Sequence, residues 1–175
     1  MASGEQRATV GPLDARGLTV GVVATRWNEA IVERLREGAR RALEATGASS
    51  RSVSVPGAFE LPFAAQTVIA TGAVDAVVVL GAVIRGETTH YELVSQGCAE
   101  GAMQVQLGTG VPIGFGVVTV ENEEQALARS EPAGGHNVGE EATLVAIEMA
   151  LLCRSNHRLD AATAPDDDTG RNAPR

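Results

Sequence analysis

The sequence predicts an α/β fold in which a four-stranded parallel sheet lies between two layers of helices. Apolar runs of strand length alternate with segments of helical periodicity, which is typical of repeated strand and helix units. The runs 18–25 and 75–84 are almost continuously apolar, as expected of strands covered on both faces. With 175 residues, 44% of them hydrophobic, the chain is long enough for one well-formed core and is expected to form one domain.

The first predicted strand covers 18–25, and a helix is expected to follow Asn28, whose side chain could cap it. Gly47 is expected to end this helix. Its predicted buried stripe recurs every four residues and consists of Ile31, Leu35, Ala39 and Leu43. A short strand over 52–55 and a helix over 61–70 come next.

The third run, 75–84, contains four consecutive β-favouring residues and is the best candidate for the centre of the sheet. A loop over 85–89 precedes a helix with the predicted apolar stripe Tyr91, Val94, Cys98, Ala102 and Val105. Gly97 and Gly101 lie one turn apart in this helix, each costing about 1 kcal/mol relative to alanine. They indicate either a close approach by another helix or two tolerated glycines.

A fourth strand is predicted over 111–118, and Asn122 is expected to cap a short helix. The last helix is expected to begin near Asn137, which has capping-box spacing to Glu140. Its predicted buried stripe is Ala142, Val145, Ala146, Met149 and Leu152. Residues 1–17 are interpreted as an arm, 18–154 as the domain, and 155–175 as a disordered acidic tail.

The charge of the chain excludes some classes of partner. It has 14 basic and 22 acidic residues, and every basic residue is arginine, because the sequence contains no lysine. A net charge of −8 argues against general nucleic-acid binding. The longest uncharged apolar run, 76–84, is far below the roughly 20 residues that cross a bilayer, and no signal peptide is recognisable, so we expect a cytoplasmic protein. Cys98 and Cys153 lack metal-ligand spacing, which predicts buried thiols and no metal.

Candidate functional residues follow the predicted strands, where ligands bind in parallel sheets. Trp27 could stack on a planar heterocycle or pack against the core, and Glu60 could bind hydroxyl groups or simply favour the start of a helix. The loop Gly86-Glu87-Thr88 could bind an anion at a helix start or form an ordinary turn. His90 follows this loop, and an imidazole there suits proton transfer.

Several segments resemble a known enzyme family. VPGAFELP (55–62), VIRGETTHYE (83–92), PIGFGVVTVENEEQALAR (112–129) and AIEMA (146–150) closely resemble the 6,7-dimethyl-8-ribityllumazine synthases of riboflavin biosynthesis, and the resemblance covers 18–152. It implies a flavodoxin-like fold and a condensation of 5-amino-6-ribitylaminouracil with 3,4-dihydroxy-2-butanone 4-phosphate that releases phosphate and water. Neither a metal nor a cofactor is implied.

The resemblance also implies a role for individual residues. It implies a uracil and ribityl subsite formed by Trp27, Ala58, Phe59, Glu60, Ala82, Val83, Ile84 and Phe115. It implies a phosphate subsite formed by Gly86, Glu87, Thr88 and Arg129, with His90 as the catalytic proton shuttle.

The implied assembly is a homo-oligomer built on pentamers with sites between subunits. Phe115 and Arg129 would then reach into a site of the adjacent subunit, and the N-terminal arm could add a strand to a neighbour. Gly97 and Gly101 would line the centre of the pentamer. The segment 130–138 bears on whether pentamers pair or build a hollow shell.

One position departs from the family pattern. Many relatives carry a lysine near the substrate phosphate where this chain has Val138, and Glu87 would add a negative charge beside the same subsite if its side chain points inward. We therefore expect weaker phosphate binding. Two alternatives remain open at this point: a family-derived binding or shell-forming protein with poor turnover, and a related enzyme that condenses another carbonyl phosphate. A generic nucleotide binder is disfavoured, because no glycine-rich phosphate fingerprint is present.

Overall fold

A computed structural model describes residues 11–163, with side chains described as far as residue 156. Its four strands are β1 Thr19–Thr25, β2 Ser49–Val55, β3 Ala76–Ile84 and β4 Ile113–Val120. Its helices are α1 Glu29–Thr46, α2 Leu61–Ala70, α3 His90–Thr109, α4 Glu123–Leu127 and α5 Val138–Thr163, and a single 3-10 turn, Ala58–Glu60, precedes α2.

The strands form one parallel sheet in the order β2-β1-β3-β4. One core cluster joins alternate residues of β1 and β3 to α1 and α5, and the other joins the remaining residues to α2 and α3. This confirms the three-layer α/β fold with a four-stranded, flavodoxin-like sheet. Because all strands are parallel, their carboxyl ends meet at one edge, where the loops carrying the candidate residues emerge.

The ends of the outer strands differ from the prediction. β2 begins at Ser49, three positions earlier than expected, and its residues are exposed as far as Ser54. The polar sequence gives no strand signal there, and pairing of Thr19 with Ser49 extends the strand. β4 likewise runs from Ile113 to Val120 in register with β3 rather than over 111–118.

The three asparagines expected to cap helices behave differently. Asn122 caps α4, with Oδ1 accepting a hydrogen bond from the backbone N–H of Gln125 at 2.9 Å. Asn137 accepts from the N–H of Glu140 at 3.1 Å, as predicted. Asn28 does occupy the N-cap position of α1, but the prediction that its side chain caps the helix is wrong: it has a left-handed φ of 57°, and its side chain donates to the carbonyl of Ala82 at 2.8 Å.

The buried face of α5 was predicted only in part. Ala142 and Ala146 are buried as expected, but Val145, Met149 and Leu152 are exposed, and Ile147 and Ala150 are buried instead. Ala142 and Ala146 lie where α5 approaches the sheet most closely: an added Cβ on Gly114 would lie 2.0 Å from the Ala142 carbonyl oxygen and 3.1 Å from the Ala146 Cβ. The stripe of α3 is fully buried at Cys98 and Ala102 and half-buried at its other members.

Both chain ends differ in part from the expected arm and tail. Ala15 is buried and its N–H donates to the Thr46 carbonyl at 2.8 Å, so the last residues of the arm pack on the domain. Helix α5 continues to Thr163 and therefore includes the first part of the segment expected to be disordered. Residues 1–10 and 164–175 lie outside the described residues. No helix in the described part is long and apolar enough to cross a membrane.

Candidate active site

The loops after β1 and β2 are joined by backbone hydrogen bonds. The N–H of Arg26 donates to the Val55 carbonyl at 2.9 Å, and that of Trp27 donates to the Pro56 carbonyl at 3.3 Å. The Trp27 side chain is 72% exposed, which rules against the alternative that it packs in the core. Its indole lies beside Gly57, where an added Cβ would be 3.7 Å from Cδ1.

Glu60 lies at the same place. Its Oε2 accepts a hydrogen bond from the Gly57 N–H at 2.9 Å, so the carboxylate does stabilise the start of the turn. Its other oxygen, Oε1, makes no hydrogen bond to any described residue. One side chain can therefore serve both roles that the sequence left open, because the bond to Gly57 fixes the carboxylate and leaves Oε1 accessible.

Phe59 and Ala58 complete this side of the edge. Ala58 is buried, whereas the Phe59 ring is 62% exposed and rests on α3 at Gly97. An added Cβ on Gly97 would lie 2.8 Å from Cε2 of the ring, so glycine is required for this contact. The predicted close approach at Gly97 is real, but the partner is the Phe59 side chain rather than a helix.

The end of β3 forms the floor beside these residues. Ala82 is buried, and Val83 and Ile84 are half-buried. The Ala82 carbonyl already accepts the bond from Asn28, so Asn28 connects the Trp27 loop to β3. The sequence places Asn28 among the unusual residues after the first strand but gives it no role beyond capping, because its bond to β3 forms only in the folded chain.

The loop Gly86-Glu87-Thr88 and His90 are exposed at the start of α3. Thr88 Oγ1 accepts a long hydrogen bond of 3.4 Å from the His90 N–H. The first amides of this 20-residue helix point toward the loop with the positive end of the helix dipole, an arrangement that suits an anion.

Arg85, just before the loop, was not assigned a role from the sequence. Its guanidinium bonds to the carboxylates of Glu92 and Glu121 and lies 4.2 Å from the centroid of the Tyr91 ring. The hydrogen bond from Arg85 lowers the pKa of Glu92. The sequence does not reveal this cluster, because Arg85 and Glu121 are far apart in the chain and meet only in the folded protein.

Phe115 and Arg129 are not joined to the other site residues within one chain. Phe115 lies near the start of the edge strand β4, away from the carboxyl end of that strand, and pairs with Val79 of β3. Its side chain is 38% exposed. Arg129 follows α4, and its Nη1 donates to the Gln125 carbonyl at 3.1 Å. No hydrogen bond or ion pair between described residues links either one to Trp27.

Comparison with known proteins identifies the family. The family model described as 6,7-dimethyl-8-ribityllumazine synthase matches residues 17–154. The chain belongs to the 6,7-dimethyl-8-ribityllumazine synthase family.

Two curated lumazine synthases show how closely the family is matched. The protein from Kineococcus radiotolerans is 50% identical over 144 residues, which are 81% of this chain and 89% of the relative. The protein from Clavibacter michiganensis subsp. michiganensis is 45% identical over 144 residues, 82% of this chain and 89% of the relative. The similarity therefore extends over nearly all of the described fold.

Within this lumazine synthase fold, Val138 is placed close to Arg129. The Val138 N–H donates to the Arg129 carbonyl at 2.9 Å, and the half-buried valine side chain packs against the core cluster of α1 and α5. A lysine at position 138 would therefore extend from the start of α5, which is hydrogen-bonded to the segment that carries Arg129. Among the described residues, no group of three or more His, Cys, Asp or Glu side chains could hold a metal ion.

Proposed function

We propose that this chain condenses 5-amino-6-ribitylaminouracil with 3,4-dihydroxy-2-butanone 4-phosphate to give 6,7-dimethyl-8-ribityllumazine, phosphate and water. Family membership supports the reaction. The structural observation that carries the proposal is the meeting of an exposed indole and a carboxylate over Gly57. An added Cβ there would lie 3.2 Å from Glu60 Oε2 and 3.7 Å from Trp27 Cδ1.

The uracil ring would stack on the exposed face of Trp27, since a flat polarisable ring favours a planar heterocycle. The ribityl chain would extend along Ala58 and Phe59, with Glu60 Oε1 accepting hydrogen bonds from its hydroxyl groups. Backbone groups of Ala82, Val83 and Ile84 would also contact the heterocycle; the Ala82 carbonyl, which accepts one bond from Asn28, keeps a second acceptor site.

The substrate phosphate would bind the amides of Gly86, Glu87 and Thr88 at the start of α3, with Arg129 adding a bidentate positive group. The primary amine of the pyrimidine attacks the ketone, and loss of water gives a Schiff base. Loss of a proton from the hydroxyl-bearing carbon then expels phosphate and leaves an enol, which tautomerises to a ketone. Attack on this ketone by the ribityl-bearing nitrogen, with loss of a second water, closes the ring. Each step moves a proton, and His90 is the imidazole next to the phosphate loop.

Much of the rate acceleration would come from orientation of the two substrates, since holding reactants together removes a large entropic part of the barrier. The arrangement agrees with this, because the proposed uracil subsite comes from the loops after β1 and β2, and the phosphate subsite from the loop after β3. The two subsites therefore lie at neighbouring positions on one edge of the sheet.

We also infer a homo-oligomer built on pentamers, in which a neighbouring subunit supplies Phe115 and Arg129. The position of Phe115 supports this: it pairs with Val79 of β3, which pairs with Val23 of β1, so it lies two strands away from the strand that Trp27 follows. Large apolar side chains that a monomer would leave in water also support it; these are Phe63 at 74% exposure, Leu107 at 75%, Leu93 at 67% and Met103 at 53%.

A second candidate is a family member that binds its ligand or assembles but turns over poorly. Val138 favours this candidate, because it removes a positive charge beside the proposed phosphate subsite. The same observation is compatible with an enzyme that accepts another carbonyl phosphate.

The test is formation of fluorescent lumazine from the two substrates, compared with the uncatalysed background. We expect the wild-type protein to exceed the background clearly and His90→Ala to be strongly impaired. His136→Ala is the matched control, because His136 is also exposed but lies in the segment before α5, beside Glu141. A well-folded, assembled wild-type protein that shows only background formation would overturn the proposed activity and favour the binding protein.

A further inference from the structure

Arg85 makes contacts with three separate parts of the fold. Its Nε donates to Glu121 Oε1 at 3.0 Å, just beyond the end of β4, and its Nη1 bonds to Glu92 in the first turn of α3. The guanidinium also lies over the ring of Tyr91, and the Arg85 backbone N–H donates to the Val120 carbonyl at 2.9 Å. One side chain thus joins the end of β3, the end of β4 and the start of α3.

These contacts enclose the proposed phosphate loop. Arg85 immediately precedes Gly86, and its partners Tyr91 and Glu92 immediately follow His90. The loop itself is exposed and makes few contacts of its own, such as the 3.4 Å bond from the His90 N–H to Thr88. Both ends of the loop are therefore held by Arg85, while its interior is weakly held.

The positive charge of Arg85 is already paired. Two carboxylates surround the guanidinium, so it is a poor candidate for a direct phosphate ligand. A direct ligand and a clamp predict opposite effects when a carboxylate is removed. Neutralising Glu92 or Glu121 would free a direct ligand to bind phosphate more tightly, whereas it would loosen a clamp and weaken phosphate binding.

We propose that Arg85 is a positioning residue that fixes the loop 86–89 and His90 by clamping the start of α3 to the end of β4 through Glu92 and Glu121. The proposal rests on the proposed function, because that function assigns phosphate binding to this loop. Arg85 acts through the backbone of the loop and contacts neither substrate.

The first experiment compares the kinetics of Arg85→Met with wild type. We expect the KM for the butanone phosphate to rise roughly tenfold, the size of effect expected when one charge-assisted hydrogen bond to the phosphate is lost, with little change in the KM for the pyrimidine. Arg40→Met is the matched control: Arg40 is an exposed arginine on α1 that also bonds two glutamates, Glu37 and Glu44. It should leave both constants unchanged.

The second experiment uses Glu92→Gln and Glu121→Gln, which keep the size of each side chain. We expect each to raise the KM for the butanone phosphate in the same direction as Arg85→Met. A lower KM in these variants would overturn the clamp and make Arg85 a direct ligand. Equal effects on both substrates in all variants would reduce Arg85 to a general structural role and also overturn the proposal.

A third measurement does not depend on activity. Hydrogen exchange of the peptide containing residues 85–92 should be faster in Arg85→Met than in wild type, with the peptides of β1 unchanged. Unchanged exchange in the loop would overturn the proposal whatever the kinetics show. If the wild-type protein makes no lumazine, the proposed function fails, and the exchange measurement alone decides whether Arg85 fixes the loop.

Discussion

The ring of Phe59 rests against the backbone of α3 at Gly97, where an added Cβ would lie 2.8 Å from Cε2 and 3.3 Å from Cδ2. The absence of a side chain at Gly97 therefore sets the position of a ring in the proposed ribityl subsite. Because Phe59 is 62% exposed, the ring can move away if the space is filled. Gly97 thus links a helix interior to the geometry of the site.

Gly97→Ala is expected to displace the Phe59 ring and impair binding of the pyrimidine substrate. An aromatic contact contributes about 0.5–1.5 kcal/mol, so we expect the KM for the pyrimidine to rise by roughly two- to tenfold, with a smaller effect on the butanone phosphate. Steady-state kinetics measure this. Gly108→Ala on the same helix is the control, because an added Cβ there meets nothing within 4 Å. An unchanged KM in Gly97→Ala would contradict the assigned role of Phe59.

Gly101→Ala is expected to destabilise the fold rather than alter binding. An added Cβ would lie 2.8 Å from Cγ and 2.9 Å from Cβ of Pro62, a buried and rigid ring at the start of α2. Overpacking of this kind costs roughly 1–3 kcal/mol. Gly108→Ala should instead stabilise by about 0.5–1 kcal/mol through helix propensity. Urea unfolding of both variants measures the difference, and equal stabilities would contradict a close contact between α2 and α3.

Asn137→Ala should be among the more destabilising single changes at the junction of α1 and α5. Asn137 is 2% exposed, and Nδ2 donates to the carbonyls of Arg34 at 3.0 Å and Glu131 at 2.9 Å, while Oδ1 caps Glu140. Losing a helix cap and two buried donors should cost about 3 kcal/mol. The exposed cap Asn122 offers a comparison, and Asn122→Ala should cost only about 1 kcal/mol. Thermal unfolding of the two variants would show whether this order holds.

Val138→Lys is expected to strengthen binding of the butanone phosphate. Its N–H bonds to the Arg129 carbonyl, so a lysine ammonium could extend from the segment paired with that of Arg129 while its methylene stem keeps the packing of valine. A charge-assisted hydrogen bond contributes about 1.5–3 kcal/mol, which corresponds to a KM lower by roughly one to two orders of magnitude. Val138→Met tests the effect of length without charge. If Val138→Lys has the same KM for the butanone phosphate as the wild type, the phosphate subsite needs no second cation.

Cys98 should be inert toward thiol reagents in the folded protein. It is fully buried, and burial raises its pKa to about 12 from the usual 9.0. Because the unfolded thiol ionises first, Cys98 has no effect on stability below pH 9, and it lowers stability as the pH rises from 9 toward 12. Alkylation at pH 8 followed by peptide mass spectrometry should leave Cys98 unmodified until the protein is denatured. Rapid labelling of Cys98 in the native state would contradict its burial.

The sequence alone was sufficient for the class of fold and for most helix positions. The buried strand 75–84 and helix α2 were predicted closely, and Gly47 ends α1 with the expected left-handed φ of 74°. These features depend on hydrophobic periodicity and on local backbone preference, and both can be read from the residues of one segment. The sequence also predicts that the candidate residues after the strands lie at one edge of the sheet, because parallel strands bring their carboxyl ends together.

Only the tertiary structure decided which partners the side chains find. Asn28 looks like a helix cap, yet it bonds to Ala82 in another strand, and Arg85 bonds to Glu121 after β4. The prediction that Met149 is buried on α5 is wrong for a related reason. The backbone of α5 packs against Gly114 at Ala142 and Ala146, and Met149 lies on the exposed side of the helix. Such choices depend on groups that are far apart in the chain and meet only after folding, so the local pattern cannot specify them.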